Sequence, residues 1–156
     1  MDFSKVKLLI YDCDGVLTDN RVLVDETGKE SAFFHRGDGY GVRLIRELGI
    51  PQIIVSTEVN PIVKYRAEKL KIEVFHSVED KASAVKRCCD EHGIEPSFAM
   101  FIGNDLNDYK AMMAVGFRGC PSDAEPEIQA ISHWISSKAG GFGVIRELCR
   151  CLYESR

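Results

Sequence analysis

The chain has 156 residues, 45% of them hydrophobic and 28% charged, and 20 Lys and Arg stand against 24 Asp and Glu for a net charge of −4. That balance excludes disordered and fibrous classes and leaves no basic footprint for nucleic acid. A chain of this length buries roughly two-thirds of its unfolded surface on folding, so one domain over residues 1–156 needs no disulfide or structural metal to support a core.

The opening stretch from Met1 to Lys7 lacks the basic segment followed by a long apolar one that marks a signal peptide. No apolar run approaches the ~20 residues that span a bilayer, so a cytoplasmic protein with no membrane partner is expected. Lys7 to Tyr11 reads as a buried strand that runs into Asp12-Cys13-Asp14-Gly15-Val16-Leu17-Thr18-Asp19. Residues 21–34 then read as a projecting β-hairpin turning at Thr27-Gly28, with Leu23, Phe33 and Phe34 to bury against another subunit or its own domain. Beyond it, apolar runs at Ile53–Val55, Val74–Phe75, Phe98–Ile102 and His133–Ile135 predict strands. Helical spacing falls between them at Val42, Ile45 and Leu48, at Val63, Ala67 and Leu70, and at Ala84, Val85 and Cys88. Alternating strands and helices predict an α/β fold, a doubly wound parallel sheet covered on both faces. Six cysteines, two adjacent and two separated by one residue, suit neither a disulfide framework nor a zinc knuckle and read as reduced thiols.

Four predicted strand ends carry the chemistry. Asp12 and Asp14, two apart in extended chain, share a face at the carboxyl end of the first strand, where open α/β sheets bind ligands. Two carboxylates together there repel and desolvate each other unless a cation keeps both ionised. Gly103-Asn104-Asp105-Leu106-Asn107-Asp108 places more oxygen ligands at a second strand end. Magnesium takes six oxygens and keeps several waters, so Asp12, Asp14 (through its carbonyl) and Asp105 or Asn104 suffice. Asn107-Asp108 can equally cap the helix bearing Met112 and Met113. Ser56 and Thr57 end the next strand with hydroxyls for a phosphate or a helix cap, and Lys81 opens a helix where it can meet an anion.

This ordered set, Asp12-x-Asp14-Gly15-Val16-Leu17-Thr18-Asp19, then Ser56, then Lys81, then Gly103-Asn104-Asp105-x-x-Asp108, resembles the four motifs of the haloacid dehalogenase superfamily of phosphatases. It is most similar to the small capless subfamily acting on 2-keto-3-deoxy sugar acid phosphates, which includes the 3-deoxy-D-manno-octulosonate (KDO) 8-phosphate and ketodeoxynonulosonate (KDN) 9-phosphate phosphatases. Phe34-His35, Asp38-Gly39-x-Gly41 and Gly140-Gly141-x-Gly143-x-x-Arg146-Glu147 resemble its further motifs.

The resemblance implies a Rossmann-like core with a projecting hairpin and no cap domain. It makes Asp12 the nucleophile, Asp14 the acid and base, Ser56, Thr57 and Lys81 the phosphate holders, and Asp12, Asp14 and Asp105 the Mg2+ ligands, with Asn104 and Asp108 as alternative or orienting groups. It implies a homotetramer in which a hairpin roofs a neighbour's site. KDO 8-phosphate relatives have an arginine where this chain has Glu58, and Glu58 with Arg66 and Lys69 resembles the KDN 9-phosphate type. Arg36 stands one position away from the subfamily's arginine. A phosphorylated receiver domain, a non-catalytic assembly domain of the animal CMP-neuraminate synthetase type and a KDO 8-phosphate enzyme are the competing readings. A nicotinamide site is excluded, because Asp-x-Asp stands where a glycine fingerprint belongs.

Overall fold

The computed structural model describes all 156 residues. Six short strands make one sheet: β1 (Leu8–Tyr11), β4 (Gln52–Val55), β5 (Glu73–Phe75), β6 (Ala99–Ile102), β7 (Phe117–Cys120) and β8 (Trp134–Ile135). Their spatial order is β5-β4-β1-β6-β7-β8, and every neighbouring pair is parallel. The chain leaves β1 toward β4 on one side and reaches β6 on the other, which makes the carboxyl end of β1 the crevice of a doubly wound sheet.

Period-two alternation divides the central strands between two cores. Leu9 and Tyr11, Ile54, and Met100 and Ile102 face one core, which is closed by α1 (Arg36–Glu47), α2 (Ile62–Leu70) and α6 (Val144–Glu154). Leu8 and Ile10, Ile53 and Val55, and Ala99 and Phe101 face the other, under α3 (Lys81–His92), α4 (Tyr109–Met113) and α5 (Pro126–Ile131). No helix is long and apolar enough to cross a membrane.

The predicted strands and the first three helices form. The expected helix bearing Met112 and Met113 forms as α4, whereas β7, whose Arg118 and Gly119 interrupt the apolar run, and α5 and α6 were not expected. The signal for α6 is present in Val144, Ile145, Leu148, Cys149 and Leu152, which all bury on one face. Its N-terminus follows Gly143, which has no side chain to cap it. Asp38 of α1 does that work from across the core: it is buried, and the Arg146 N–H donates to its Oδ1 at 2.8 Å. Asp38→Ala is expected to lower stability by about 1–2 kcal/mol, the scale of a lost helix cap, seen as a lower denaturation midpoint with an unchanged slope.

The hairpin pairs β2 (Leu23–Val24) antiparallel to β3 (Glu30–Ser31), with Leu23 opposite Ser31. Asp25 ties its turn by accepting from the Thr27 and Lys29 N–H groups at 2.9 and 3.0 Å. Phe34 packs on the α1–α2–α6 core, whereas Leu23 and Phe33 remain 65% and 74% exposed. Within one chain the hairpin therefore leaves apolar side chains in solvent.

Candidate active site

The carboxyl ends of β1, β4 and β6 and the start of α3 converge. Asp12 leaves β1 buried, its N–H donating to the Ile102 carbonyl at 2.9 Å. The chain then turns tightly, with the Leu17 and Thr18 N–H groups both donating to the Cys13 carbonyl. Thr18 Oγ1 donates to Asp14 Oδ1 at 3.3 Å and accepts from the Gly15 N–H at 3.2 Å, fixing the half-buried Asp14 side chain.

Lys81, the first residue of α3, is buried with its Nζ 2.6 Å from both Asp12 Oδ1 and Asp108 Oδ1. Asp80 caps the helix in front of it, accepting from the Ala82 and Ser83 N–H groups. One ammonium between two buried carboxylates leaves a local excess of negative charge. Burial, then the Asp108 carboxylate, pushes the Asp12 pKa up to about 7 against the opposing pull of Lys81. Burial works against the Lys81 ammonium, yet Asp12 and Asp108 outweigh it and raise its pKa. Asp14 is raised as well, first by burial, with Glu58 and Glu30 adding to the shift and the Thr18 hydroxyl and Lys81 opposing it.

Ser56 is buried at the end of β4; its Oγ accepts from the Glu58 N–H at 3.1 Å, which leaves the hydroxyl proton free to donate. Thr57 is exposed beside it. The N–H groups of Asp14 and Thr57 find no acceptor within the chain, so both are open to an anion. Glu58 Oε1 accepts from the Asn60 N–H at 2.7 Å, and Asn60 Nδ2 donates to Glu30 Oε2 of the hairpin at 3.2 Å. The hairpin is thus tied to the loop that carries Glu58.

Of the expected metal ligands, Asp12 and the Asp14 carbonyl come together, and the alternatives Asp105 and Asn104 point apart. No three His, Cys, Asp or Glu side chains converge as a metal-binding group. Successive residues of extended chain point to opposite sides, so beyond β6 Asn104 turns inward while Asp105 turns out. Asp105 is exposed and caps the short turn at Leu106–Asp108, accepting from the Leu106 N–H at 2.6 Å. One arm of the Asn104 carboxamide lies 3.2 Å from Asp12 Oδ2 and 2.8 Å from the Asp14 carbonyl oxygen. With nitrogen there the amide donates to both; turned over, it completes a cluster of three oxygens that only a cation can satisfy. Asp108 is buried and acts as an orienting group, its Oδ2 accepting from the Asn104 N–H at 2.9 Å. Gly15 permits this packing: its φ is +85°, and a Cβ there would lie 2.1 Å from Asn104 Nδ2.

Arg66 and Lys69 do not line this site in their own chain. Both face a groove between α1 and α2, where Arg66 Nη2 donates to the His35 carbonyl at 3.2 Å and the guanidinium stacks 5.0 Å from the Phe34 ring centroid. The late glycine motif instead reaches the loop that follows Asp12: Gly141 N–H donates to the Val16 carbonyl at 3.0 Å, and Gly140 N–H to Asp123 Oδ1 at 2.9 Å.

A parallel doubly wound sheet with paired aspartates at the end of β1 and a buried lysine across from them defines a haloacid dehalogenase-type hydrolase. The description of that family, haloacid dehalogenase-like hydrolase, matches residues 52–148, and the chain belongs to it. The 3-deoxy-D-manno-octulosonate 8-phosphate phosphatases of Yersinia pestis and Escherichia coli (strain K12) are each 30% identical to it. These matches cover 94% and 96% of this chain and 79% and 80% of theirs. A solved structure of the same-named phosphatase from Moraxella catarrhalis, in complex with magnesium ion, phosphate ion and KDO, matches with a TM-score of 0.95 at 30% identity. That match covers 99% of this chain and 90% of the other. The cobalt-bound phosphatase from Haemophilus influenzae matches with a TM-score of 0.94 at 27% identity, over 99% and 91% of the two chains. The chain is a phosphomonoesterase of the sugar phosphatase kind.

Proposed function

We propose that residues 1–156 form one catalytic domain that hydrolyses the phosphate ester of a 2-keto-3-deoxy sugar acid with Mg2+. The observation that carries this reading is the convergence of Asp12 Oδ2, the Asp14 carbonyl and the Asn104 carboxamide opposite Lys81. Those three oxygens fit a magnesium ion that keeps its remaining waters. Bound there, Mg2+ supplies positive charge to the phosphoryl oxygens and keeps Asp12 ionised.

The chain's own groups supply the steps. Ser56 and the N–H groups of Asp14 and Thr57 hold the phosphoryl oxygens, with Lys81 completing the positive wall. An Asp12 carboxylate oxygen attacks phosphorus, the bond to the sugar oxygen breaks, and Asp14 gives that oxygen its proton. Water then attacks the aspartyl-phosphate, yielding its proton to Asp14, and phosphate leaves with Asp12 restored.

Burial of an ionisable pair gives a pH prediction. Asp12 takes up its proton near pH 7 in the fold but near its ordinary 3.8 in the unfolded chain. Between about pH 4 and 7 the metal-free fold therefore holds more protons than the unfolded chain, and this group removes stability as pH rises. Asp14 shifts in the same direction. Magnesium is expected to raise the melting temperature more at about pH 8 than at about pH 5, measured by scanning calorimetry with and without the ion.

For the substrate, Glu58 favours the nine-carbon KDN 9-phosphate or N-acylneuraminate 9-phosphate class: an anion on the leaving-group side, adding to the raised pKa of Asp14, accepts bonds from hydroxyls or an amine. Arg66 and Lys69 would reach that sugar's carboxylate only from a second subunit, and the exposed Leu23 and Phe33 of the hairpin support a homotetramer that brings one. The second reading, KDO 8-phosphate, is favoured by the names of the relatives. The ratio of kcat/KM for KDN 9-phosphate and KDO 8-phosphate with Mg2+ decides between them. Turnover of neither, with an aryl phosphate still hydrolysed, would place the substrate outside both.

A further inference from the structure

Asn104 is fixed everywhere except at the end of its side chain. Its backbone N–H donates to Asp108 Oδ2 at 2.9 Å, and its carbonyl accepts from the Glu125 N–H at 2.9 Å. The residue is buried, with one arm of the carboxamide against Gly15 and the other toward Asp12 and Asp14. What remains is rotation about the last side-chain torsion, which in asparagine is broad and nearly two-fold. A half-turn exchanges an acceptor for a donor of two protons and leaves the outline of the group almost unchanged.

The surroundings favour those two states under opposite conditions. The inner arm faces only acceptors, Asp12 Oδ2 at 3.2 Å and the Asp14 carbonyl oxygen at 2.8 Å. Without a cation, an oxygen in that arm adds a third acceptor to two, and buried acceptors without donors are costly. A nitrogen there brings two N–H bonds to two acceptors. With Lys81 Nζ already 2.6 Å from Asp12 Oδ1, both oxygens of Asp12 are then held. A divalent cation reverses the preference, because it takes oxygen ligands and repels N–H groups.

We propose that the Asn104 carboxamide is a metal-dependent latch. It points nitrogen inward in the metal-free protein, holding Asp12 and the Asp14 carbonyl at ligand spacing, and turns oxygen inward when Mg2+ enters. This inference rests on the metal site proposed above and adds how that site is regulated. Each Mg2+ bound breaks two hydrogen bonds of the resting site, so Asn104 lowers affinity for the ion while keeping the metal-free site assembled. A carboxylate at the same position would do the reverse, since it has no proton to give and adds a negative charge for the metal.

The test follows the side-chain amide of Asn104 by heteronuclear NMR of the nitrogen-labelled full chain, with its signal pair identified by its loss in Asn104→Asp. In metal-free protein, at a fixed pH above neutrality, both protons are expected to exchange slowly with water. Saturating Mg2+ is expected to move both signals and to speed their exchange several-fold. Asn104→Asp is expected to melt lower than the wild type without metal and to bind Mg2+ about tenfold more tightly, read from the rise of melting temperature with Mg2+ concentration. Signals that stay in place while Mg2+ still raises the melting temperature of the wild type, and not of Asp12→Asn, overturn the latch and leave the metal site standing. So does an Asn104→Asp protein whose Mg2+ affinity is unchanged. No melting shift with Mg2+ in any of the three proteins removes the metal site itself, and the latch with it.

Discussion

Asp12→Asn is expected to abolish phosphate release, by at least ~10⁴-fold in kcat, the scale on which removal of a nucleophile is felt, while the fold persists. The substitution keeps the shape of the side chain and an oxygen that can still accept from Lys81, but an amide cannot attack phosphorus. Its structural consequence runs the other way. Asp12 and Asp108 compete for one ammonium, each 2.6 Å from Lys81 Nζ, in a place almost without water. Neutralising Asp12 removes a buried charge whose ionisation the fold resists, so metal-free Asp12→Asn should melt at the same temperature as the wild type or higher above about pH 7. The paired measurement is steady-state phosphate release with Mg2+ and thermal unfolding without it. A folded variant that still turns over would sink the nucleophile assignment.

The second large effect is expected far away in sequence. At Gly140 an added Cβ would lie 2.0 Å from the Gly15 carbonyl oxygen and 3.1 Å from that of Thr18. These are backbone atoms of the loop that follows Asp12 and cannot swing aside as a side-chain tip does. Gly140→Ala is therefore expected to cost about 3 kcal/mol, the upper end for overpacking, and to lower kcat even in protein that folds. The loss of rate follows because Gly15 cannot shift without carrying Asn104 and the Asp14 carbonyl with it. Gly49→Ala is the comparison: nothing lies within 4 Å of the added atom, although its φ of +74° is strained for alanine. That variant is expected to lose about 1 kcal/mol, with activity intact. Equal losses of rate in the two would remove the special role of the Gly140 contact.

The central strands were legible because β1, β4 and β6 are buried on both faces and show apolar runs, broken only by Gln52 at the start of β4. β7 was not, since Phe117 and Arg118 are only partly buried and Gly119 replaces a side chain with the close approach of Trp134. In the site, the order Asp12, Ser56, Lys81, Asp108 could be read from residue type and strand ends, and the structure brings these four elements together. The choice between Asn104 and Asp105 could not. Ligand chemistry favours the carboxylate, but direction is set by backbone register and by the cap that Asp105 forms for the following turn. Arg66 and Lys69 were joined to Glu58 by the family resemblance alone, and within one chain α2 places them at the groove beside α1. The Asp38 cap on α6 joins residues 108 apart in sequence, a pairing that no local pattern announces.

The contact between the late glycine loop and the loop that follows Asp12 also sets a schedule for synthesis. A chain emerging from the ribosome amino-terminal end first displays Asp12 and Asp14 early, followed by Lys81 and Asn104. The loop that follows Asp12 still lacks the partner that Gly141 provides for the Val16 carbonyl. Catalytic competence is thus expected to arrive late in translation, after most of the sheet strands can already pair. A nascent chain halted before residue 140 should bear every catalytic side chain and release no phosphate.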